Sequence, residues 1–271
     1  MNIKEIEGLQ KRRNRQNLGC FFLEGYRAVT EAVLSGATIV QLVATETFVK
    51  TQEWQQIKKN YSSAYNKNAE LVLLQVGDKS FAKLSETVTP QGVGAVIKMP
   101  QASLSDVVND AVKAKKEGRF GLIILENMQD PGNMGTVIRT ADASGFYGII
   151  CSKDTVDVYN SKVLRSTVGS MFRLPIVQSD FTGSEITEYL KSKGFNTVAA
   201  HPRGGESLFE ADFNTKTAIC IGNEAGGLSD EILKTCDTTV TIPMPGGAES
   251  LNASVAAALM MYEVRRKGEK T

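Results

Sequence analysis

Residues that commonly bind metals or form disulfide frameworks are scarce in this sequence. One histidine and four cysteines occur among 271 residues, and no two cysteines stand in a CxxC pair. Zinc sites and disulfide-rich folds need such residues in close, paired spacing. We therefore expect a reduced protein with no bound metal.

Long apolar runs are also missing. No stretch approaches the roughly 20 apolar residues of a transmembrane helix. The opening segment, MNIKEIEGLQKRRNRQ, lacks the apolar core of a secretory signal. The sequence therefore predicts a cytoplasmic protein that does not associate with a membrane.

The fingerprints of common nucleotide-binding sites are absent as well. No loop reads GxGxxG after a first strand, since GNEAGG has the wrong spacing and QGVGAV lacks the third glycine. The pattern GxxxxGK[ST] does not occur, which excludes a P-loop. These absences argue against a dinucleotide-dependent dehydrogenase, so the glycines must serve tight turns or a different ligand.

Apolar strands and helices alternate through the second half of the chain. Runs such as GLIIL and AICIG are apolar at every position, as is typical of strands buried on both faces of a parallel sheet. The pattern predicts an α/β fold with a mostly parallel sheet and helices on both faces. The predicted strands are 120–126, 147–151, 174–178, 196–200, 217–221 and 238–242. The predicted helices are 133–144, 159–169, 183–193, 228–235 and 252–267.

The first half reads as a smaller α/β unit that ends at a proline, Pro100. The segment QASLSDVVNDAVKAKKEG then has the pattern of a connecting helix. The sequence therefore predicts a small α/β domain at 1–100, a linker helix at 101–118 and a larger domain at 119–271.

Three glycine-rich loops follow predicted strands of the larger domain: ENMQDPGNMG, GNEAGGLSD and PMPGGAESLNAS. Ligands of parallel sheets bind beyond the carboxyl ends of the strands, so these loops are expected to share a site. Glycine lets a ligand approach the main chain, and polar side chains can orient a second substrate. The polar residues of the loops are Asn133, Asn223, Glu224, Ser250 and Asn252.

The segments DPGNMGTVIRTADASG, IGNEAGGLSDEIL and IPMPGGAESLNASVAAALMMYE resemble the three signature motifs of the SpoU/TrmH family of RNA ribose 2′-O-methyltransferases, in the SPOUT superfamily. The resemblance covers about residues 119–267. In addition, NRQNLGCFFLEGYRAVTEAVLSG and VTPQGVGAVI are similar to the small substrate-binding domain that precedes many SpoU enzymes.

This resemblance implies a fold and a reaction. The fold is a deep trefoil knot in the C-terminal domain, although knots are nearly absent from proteins in general. The reaction is methyl transfer from S-adenosylmethionine to a ribose 2′-hydroxyl of RNA, in an active site completed across a homodimer. The donor would be held mostly by main-chain groups, at positions that match Gly222, Ile242 and Leu251, with the backbone around Ala200 nearby.

By motif position, Arg139 corresponds to the catalytic arginine of the family. A guanidinium keeps its proton to a pH above about 12, so we expect it to bind a substrate phosphate or the developing alkoxide rather than to act as a base. The alternative for Arg139 is a surface ion pair with Asp142, three residues along the helix.

Four more residues are predicted to complete the site: Asn133, Glu224, Ser250 and Asn252. Asn133 would hold its loop and the substrate ribose, or else cap the helix 133–144. Ser250 and Asn252 would contact the target nucleotide or the donor, or else cap the last helix. Glu224 is given a site role by its motif, against the alternative of solvated surface.

Basic residues in both halves are candidates for RNA contacts. Most of the basic excess of the first hundred residues lies at 11–27, and clustered lysine and arginine bind phosphates without sequence preference. A solvated helix face is the alternative for each candidate. The predicted RNA-binding residues are Arg12, Arg13, Arg15, Asn160, Lys162 and Arg165.

Three functions remain open from the sequence. The first is an RNA 2′-O-methyltransferase, with the separate N-terminal domain favouring ribosomal over transfer RNA. The second is a non-catalytic RNA-binding relative, against which the intact motif residues argue. The third is an unrelated nucleotide-dependent α/β enzyme, which the missing dinucleotide fingerprint disfavours.

Overall fold

In a computed structural model, residues 1–65, 71–114, 120–213 and 216–268 are described, and they form two compact units. The first unit comprises Met1–Gln101 and Tyr159–Arg173, and the second comprises Ala102–Val158 and Leu174–Thr271. No helix in the described part of the chain has the length and apolarity needed to cross a bilayer.

The first unit is a four-stranded mixed sheet with helices packed on it. Its strands are β1 (Cys20–Glu24), β2 (Ile39–Thr45), β3 (Leu73–Val76) and β4 (Val93–Lys98), in the order β1-β4-β2-β3. Strand β4 is antiparallel to β1 and β2, and β2 is parallel to β3. Its helices are α1 (Ile3–Gly8), α2 (Arg12–Leu18), α3 (Tyr26–Leu34), α4 (Gln52–Ala64), α5 (Asp78–Leu84) and α8 (Ser161–Thr167), with 3-10 turns at Phe48–Lys50 and Ser170–Phe172.

The second unit is a seven-stranded parallel sheet. Its strands are β5 (Phe120–Leu125), β6 (Phe146–Cys151), β7 (Ile176–Gln178), β8 (Asn196–Ala200), β9 (Glu206–Ser207), β10 (Thr217–Ile221) and β11 (Thr238–Thr241). They lie in the order β7-β6-β5-β10-β8-β11-β9. Its helices are α6 (Leu104–Ala114), α7 (Pro131–Ser144), α9 (Gly183–Ser192), α10 (Asp230–Thr235) and α11 (Ala253–Gly268).

The central strands of this sheet are buried on both faces, as their apolar sequences predict. Leu122, Ile124, Ala218 and Cys220 are fully buried in one core cluster. Burying one such aliphatic side chain contributes about 1.5–3 kcal/mol, so the two central strands form a rigid base for the loops at their ends. The prediction of an α/β fold with a parallel sheet is confirmed, and the trefoil knot stays a prediction.

Segment 159–173 lies in the first unit, whereas the sequence suggested a C-terminal location for it. The reason is packing: the ring of Tyr159 lies 4.8 Å from that of Phe21 in β1, and Arg173 forms a 2.7 Å ion pair with Glu31 in α3. The predicted domain boundaries stay predictions. The predicted linker helix is seen as α6, and residues 115–118 of that range lie outside the described residues.

Candidate active site

The three glycine-rich loops lie at the carboxyl edge of the parallel sheet, where they follow β5, β10 and β11. β5 and β10 are neighbours, and β8 separates β10 from β11. The strands are far apart in the chain, but because they run parallel their carboxyl ends, and the loops that follow them, lie at the same edge of the sheet.

The first loop ends in a well-capped helix start. The side chain of Asp130 accepts a 2.7 Å hydrogen bond from the N–H of Asn133, and Pro131 occupies the first helical turn. Asp130 is therefore the N-cap of α7, and the helix begins two residues earlier than predicted. The alternative that Asn133 caps this helix is wrong, because Asn133 is its third residue and its side chain is left to make other contacts.

The side chain of Asn133 connects the second and third loops. Its Nδ2 donates a 2.9 Å hydrogen bond to Oε1 of Glu224. Its Oδ1 accepts a 2.9 Å bond from Nδ2 of Asn252. The three residues thus form one hydrogen-bonded row, which we call the amide relay: Asn252, Asn133, Glu224. One residue from each loop is present in it.

Glu224 is held as a carboxylate. Partial desolvation by itself would raise the pKa of this carboxyl, but hydrogen bonds from the Asn133 amide and from the backbone N–H groups of Glu224, Gln129 and Asp130 together lower it. The two backbone donors of the first loop lie 3.4 Å from the Glu224 oxygens. The carboxylate is therefore ionised at neutral pH and binds a proton weakly.

Asn252 also caps the last helix. Its Oδ1 accepts 2.9 Å and 3.4 Å hydrogen bonds from the N–H groups of Ser254 and Val255, and a 2.6 Å bond from the Ser254 hydroxyl. The cap satisfies N–H groups that the start of α11 leaves free. Capping by Asn252 is therefore compatible with its place in the amide relay, because the cap uses Oδ1 and the relay uses Nδ2.

The second loop folds back on itself in a closed turn. Asn223 and Gly227 exchange backbone hydrogen bonds of 3.0 and 2.9 Å. A Cβ added to Gly222 would lie 2.1 Å from the carbonyl carbon of Gly227, so the turn leaves no room for any side chain at that position. The glycines here permit a close approach of two backbone segments.

A cavity of about 440 Å³ lies beside this closed turn, between the ends of β8, β10 and β11. Its volume falls within the range of about 300–1,000 Å³ that is typical of small-ligand sites. Apolar side chains and main-chain groups make up much of its wall. Ser250 lines the cavity. So do all four predicted donor-binding residues: Ala200, Gly222, Ile242 and Leu251.

His201, Arg203 and Glu249 also line this cavity, as does Glu224. The Nδ1 atom of His201 lies within hydrogen-bond distance of the Arg203 backbone, so the imidazole helps to shape the loop after β8. The Arg203 guanidinium and the Glu249 carboxylate lie 3.9 Å apart and are mostly exposed. Opposite charges from two loops therefore face each other at the cavity.

Arg139 lies away from the amide relay. It is six residues beyond Asn133 on α7, which corresponds to about 9 Å along a helix axis, and it is not among the cavity-lining residues. Its side chain is exposed, and among the described residues it forms no hydrogen bond or ion pair, so the alternative of an ion pair with Asp142 is not observed. The guanidinium is thus available to a molecule outside the chain.

The predicted RNA-binding residues all belong to the first unit. Arg12, Arg13, Lys162 and Arg165 are exposed. Asn160 caps α8 by accepting a 2.9 Å hydrogen bond from the N–H of Lys162. These residues are therefore on one unit, although they are far apart in the chain.

Arg15 does not fit its predicted role. It is buried, and its Nη1 donates hydrogen bonds of 2.7 and 2.8 Å to the carbonyls of Leu9 and Gln10. These carbonyls follow α1, so the guanidinium stabilises the junction between α1 and α2. A phosphate contact would require it to leave those partners, and we drop Arg15 from the RNA-binding set.

Sequence reasoning missed two polar residues that support the site. The Nε2 atom of Gln129 donates 2.6 Å bonds to Oδ1 of Asn127 and to the carbonyl of Asp154. The Glu126 carboxylate accepts 2.7 Å bonds from the N–H and the hydroxyl of Ser229. No local signal marks the contacts with Asp154 and Ser229, which are 25 and 103 residues away in the chain, whereas the Asp-Pro pair did mark the start of α7.

No group of three or more histidine, cysteine, aspartate or glutamate side chains able to hold a metal ion occurs within the described ranges. The arrangement at the carboxyl edge therefore consists of a ligand-sized cavity, a hydrogen-bonded relay and a separate exposed arginine.

Two family models match the chain. The model described as "SpoU rRNA Methylase family" matches residues 121–262. The model described as "MRM3-like substrate binding domain" matches residues 1–95. Together they account for both halves of the sequence.

Curated relatives match over nearly the full length. The chain is 30% identical to the 23S rRNA (guanosine(2553)-2′-O)-methyltransferase RlmP of Bacillus subtilis, covering 97% of this chain and 95% of that one. It is 31% identical to the 23S rRNA (uridine(2479)-2′-O)-methyltransferase of Streptomyces viridochromogenes, covering 96% and 87%.

A solved structure with a similar fold is the SpoU methyltransferase AviRb of Streptomyces viridochromogenes in complex with AdoMet. The TM-score is 0.83 at 29% identity, and the match covers 97% of this chain and 96% of that one. A TrmH-family RNA methyltransferase structure from Porphyromonas gingivalis matches with a TM-score of 0.80 at 25% identity, over 98% and 97% of the two chains.

Proposed function

Because the chain belongs to the SpoU rRNA methylase family, we propose that it transfers a methyl group from S-adenosylmethionine to a ribose 2′-hydroxyl in ribosomal RNA. Membership of the family confirms the resemblance that the three motifs indicated. The relatives from Bacillus subtilis and Streptomyces viridochromogenes are both named for 2′-O-methylation of 23S rRNA. A ribosomal substrate also implies a cytoplasmic location.

The observation that carries the proposal is the amide relay beside the cavity. Asn133, Glu224 and Asn252 come from three loops separated by about ninety and thirty residues, and each hydrogen bond between them is 2.9 Å long. Methyl transfer from a sulfonium needs mainly positioning of the acceptor oxygen and help with one proton. Because these three side chains hold one another in place, they can position the acceptor oxygen.

The cavity is suited to the donor. Apolar side chains such as Ile242 and Leu251 can cover a flat base, and the closed turn from Gly222 to Gly227 borders the same cavity. Arg203 and Glu249 carry charges that complement the carboxylate and ammonium of a methionine moiety. When bound, S-adenosylmethionine supplies an electrophilic methyl group on a good leaving group.

The residues of the chain have distinct roles in this proposal. Glu224 binds a proton weakly, so it serves to orient the Asn133 amide rather than to remove the hydroxyl proton. The amide relay forms the surface that holds the ribose in position. Arg139 binds the RNA phosphate or stabilises the developing alkoxide, because a guanidinium remains charged at any physiological pH.

Arg139 is expected to act on the site of a second subunit. The exposed face of α11 supports a homodimer, since Val255, Leu259 and Tyr262 recur at helical spacing and are 46%, 44% and 53% exposed. Leu251, at the cavity, continues this stripe. A second copy that covers the stripe would bring its own residues to the cavity of the first copy. In such a dimer, the exposed Arg139 of one copy could reach the acceptor bound by the other.

The first unit is proposed to bind the RNA. Arg12, Arg13, Lys162 and Arg165 are exposed on it, and their charges suit a phosphate backbone. The match of residues 1–95 to a substrate-binding domain supports the same role.

Methyl transfer in vitro tests the proposal. Purified protein is incubated with S-adenosylmethionine labelled in its methyl group and with either ribosomal or transfer RNA from cells that lack the gene. We expect label in ribosomal RNA, at a nucleotide that then resists alkaline cleavage on its 3′ side because the 2′-oxygen is blocked. Label in transfer RNA alone would change the substrate assignment, and absence of label in both would support the non-catalytic alternative.

The variant Arg139→Ala tests whether Arg139 acts on the RNA while other residues bind the methyl donor. We expect methyl transfer to be lost while calorimetry shows nearly unchanged affinity for S-adenosylmethionine, and no binding of NAD by either protein. Lys234→Ala, an exposed basic residue on α10 outside the site, is the matched control and should retain full activity. Parallel loss of donor affinity and activity in Arg139→Ala would contradict the role given to the arginine.

A further inference from the structure

Two cysteines of the second unit lie side by side. Cys220 is in β10, and Cys236 is the first residue after α10, two residues before β11 begins. Their Sγ atoms are 3.6 Å apart. Cys220 is fully buried, whereas Cys236 is half-buried. We propose that this pair is a site of oxidative modification, at which a peroxide converts the two thiols into a disulfide.

The backbone keeps Cys236 next to its neighbour. Its N–H donates a 3.0 Å hydrogen bond to the carbonyl of Ile232, which ends α10. The following residue, Asp237, is fixed to β8, because its carboxylate accepts 2.9 and 2.8 Å bonds from the N–H and hydroxyl of Thr197. Cys236 is thus held on both sides, which raises the effective concentration of one thiol at the other.

The two sulfurs differ in the way that a reactive pair requires. Hydrogen bonding from the Cys220 side chain lowers the pKa of Cys236, with further lowering by Thr197 and Lys191, and together these outweigh burial and the nearby Asp237 carboxylate, which raise it. The contact with Cys236 and burial raise the pKa of Cys220 well above its ordinary value. Cys236, the less buried of the two residues, is therefore the one that ionises more readily, and thiolate is the form that reacts with peroxides.

The reaction balances with hydrogen peroxide as the only co-reactant. The Cys236 thiolate attacks one peroxide oxygen, so that an S–O bond forms, the O–O bond breaks and hydroxide leaves and is protonated to water. The Cys220 sulfur then attacks the Cys236 sulfur. The S–S bond forms as the S–O bond breaks, and the Cys220 proton leaves with the departing hydroxide as a second water.

The disulfide would close a ring that contains the whole closed turn of the second loop. Residues 221–235 lie between the two cysteines, and they include Gly222 and Glu224. A disulfide needs a sulfur–sulfur distance of about 2.0 Å, and the bond would tie β10 covalently to the residue that follows α10. Oxidation at this site therefore acts on the backbone that borders the cavity.

Peptide mapping of the oxidised full-length protein tests the site. The native protein is treated with hydrogen peroxide, its remaining thiols are alkylated, and it is digested with trypsin without reductant. Trypsin places Cys220 in peptide 217–234 and Cys236 in peptide 235–265. We expect these two peptides to be joined, with a mass two hydrogens below their sum, and to separate on reduction.

Variants and denatured protein provide the controls. Cys236→Ser should yield no joined peptide, and Cys220→Ser should stop at a Cys236 sulfenic acid that a cyclic diketone traps. Cys151→Ser removes a fully buried thiol whose pKa burial raises to about 12, and it should leave the joined peptide unchanged. In urea the four cysteines should pair in mixed ways and roughly tenfold more slowly.

Two outcomes in the native wild-type protein would overturn the proposal, whatever the variants do. One is recovery of both peptides with alkylated thiols after peroxide has been consumed. The other is a Cys236 that gains two or three oxygens without ever joining Cys220.

Discussion

Removal of the Asn133 side chain is the most direct perturbation of the amide relay. Asn133→Ala deletes both 2.9 Å hydrogen bonds, to Glu224 and from Asn252, and leaves those side chains without their common partner. The backbone N–H that binds Asp130 is kept, so α7 still begins where it does. The variant therefore removes the hydrogen bonds of the amide relay without changing the start of α7.

The expected cost in stability is small. A hydrogen bond contributes about 0.5–1.5 kcal/mol, and one to a charged group about 1.5–3 kcal/mol. Glu224 and Asn252 are exposed, so both values lie at the low end, and we expect a loss of about 1–2 kcal/mol in the free energy of unfolding. The rate should fall further, by roughly 100-fold, because misplacing a reacting group by about 1 Å can have that effect.

Urea denaturation and single-turnover methyl transfer measure the two quantities. Gln129→Ala is the matched control, because it also removes two side-chain hydrogen bonds of the same loop, at 2.6 Å, without deleting a member of the relay. We expect a similar loss of stability and a much smaller loss of rate. A double-mutant cycle with Glu224→Gln should give a coupling energy of at least about 0.5 kcal/mol. Equal rate losses in Asn133→Ala and Gln129→Ala would refute the relay as a positioning device.

Three further predictions concern charge and association. Hydrogen bonds lower the pKa of Glu224 although partial desolvation opposes them, so its contribution to stability is present above the ordinary value of 4.5 and is lost as the pH falls through the lowered folded-state value. The stability difference between wild type and Glu224→Gln in urea should therefore narrow below pH 4.5, and a constant difference would contradict the assignment. Leu259→Asp places a charge on the exposed stripe of α11, so light scattering should show a dimer for wild type and a monomer for the variant; a monomeric wild type would exclude the shared site. Replacing Arg12 and Arg13 by alanine should reduce the slope of log affinity for RNA against log salt by about two, whereas an unchanged slope would make them solvated surface, and replacing the buried Arg15 should reduce stability instead.

The elements of the second unit were predictable because their signals are local. Apolar runs predicted the central strands, and the rule that ligands bind beyond carboxyl ends of parallel strands brought the three loops to one edge. The two-residue strand β9 was not predicted, because Glu206–Ser207 is too short to show any periodicity.

Side-chain partners were predicted less well than elements. The motif gave site roles to Asn133 and Glu224, but their hydrogen bond joins residues 91 positions apart, and no spacing rule encodes it. Arg15 failed for a related reason: in sequence it is one of four clustered basic residues, and only the position of α1 shows that it is buried. Local pattern predicts where a residue sits in a helix but not which other segment covers it.

The location of residues 159–173 in the first unit has a consequence for how the two units can evolve. The chain passes between the units three times, once near residue 101 and again on either side of this segment. A recombination event that exchanged only the first hundred residues between two related genes would set the Tyr159 ring of one parent against the Phe21 ring of the other. We therefore expect the two units to have diverged together, with compensating changes across that pair, rather than to have been shuffled as separate modules.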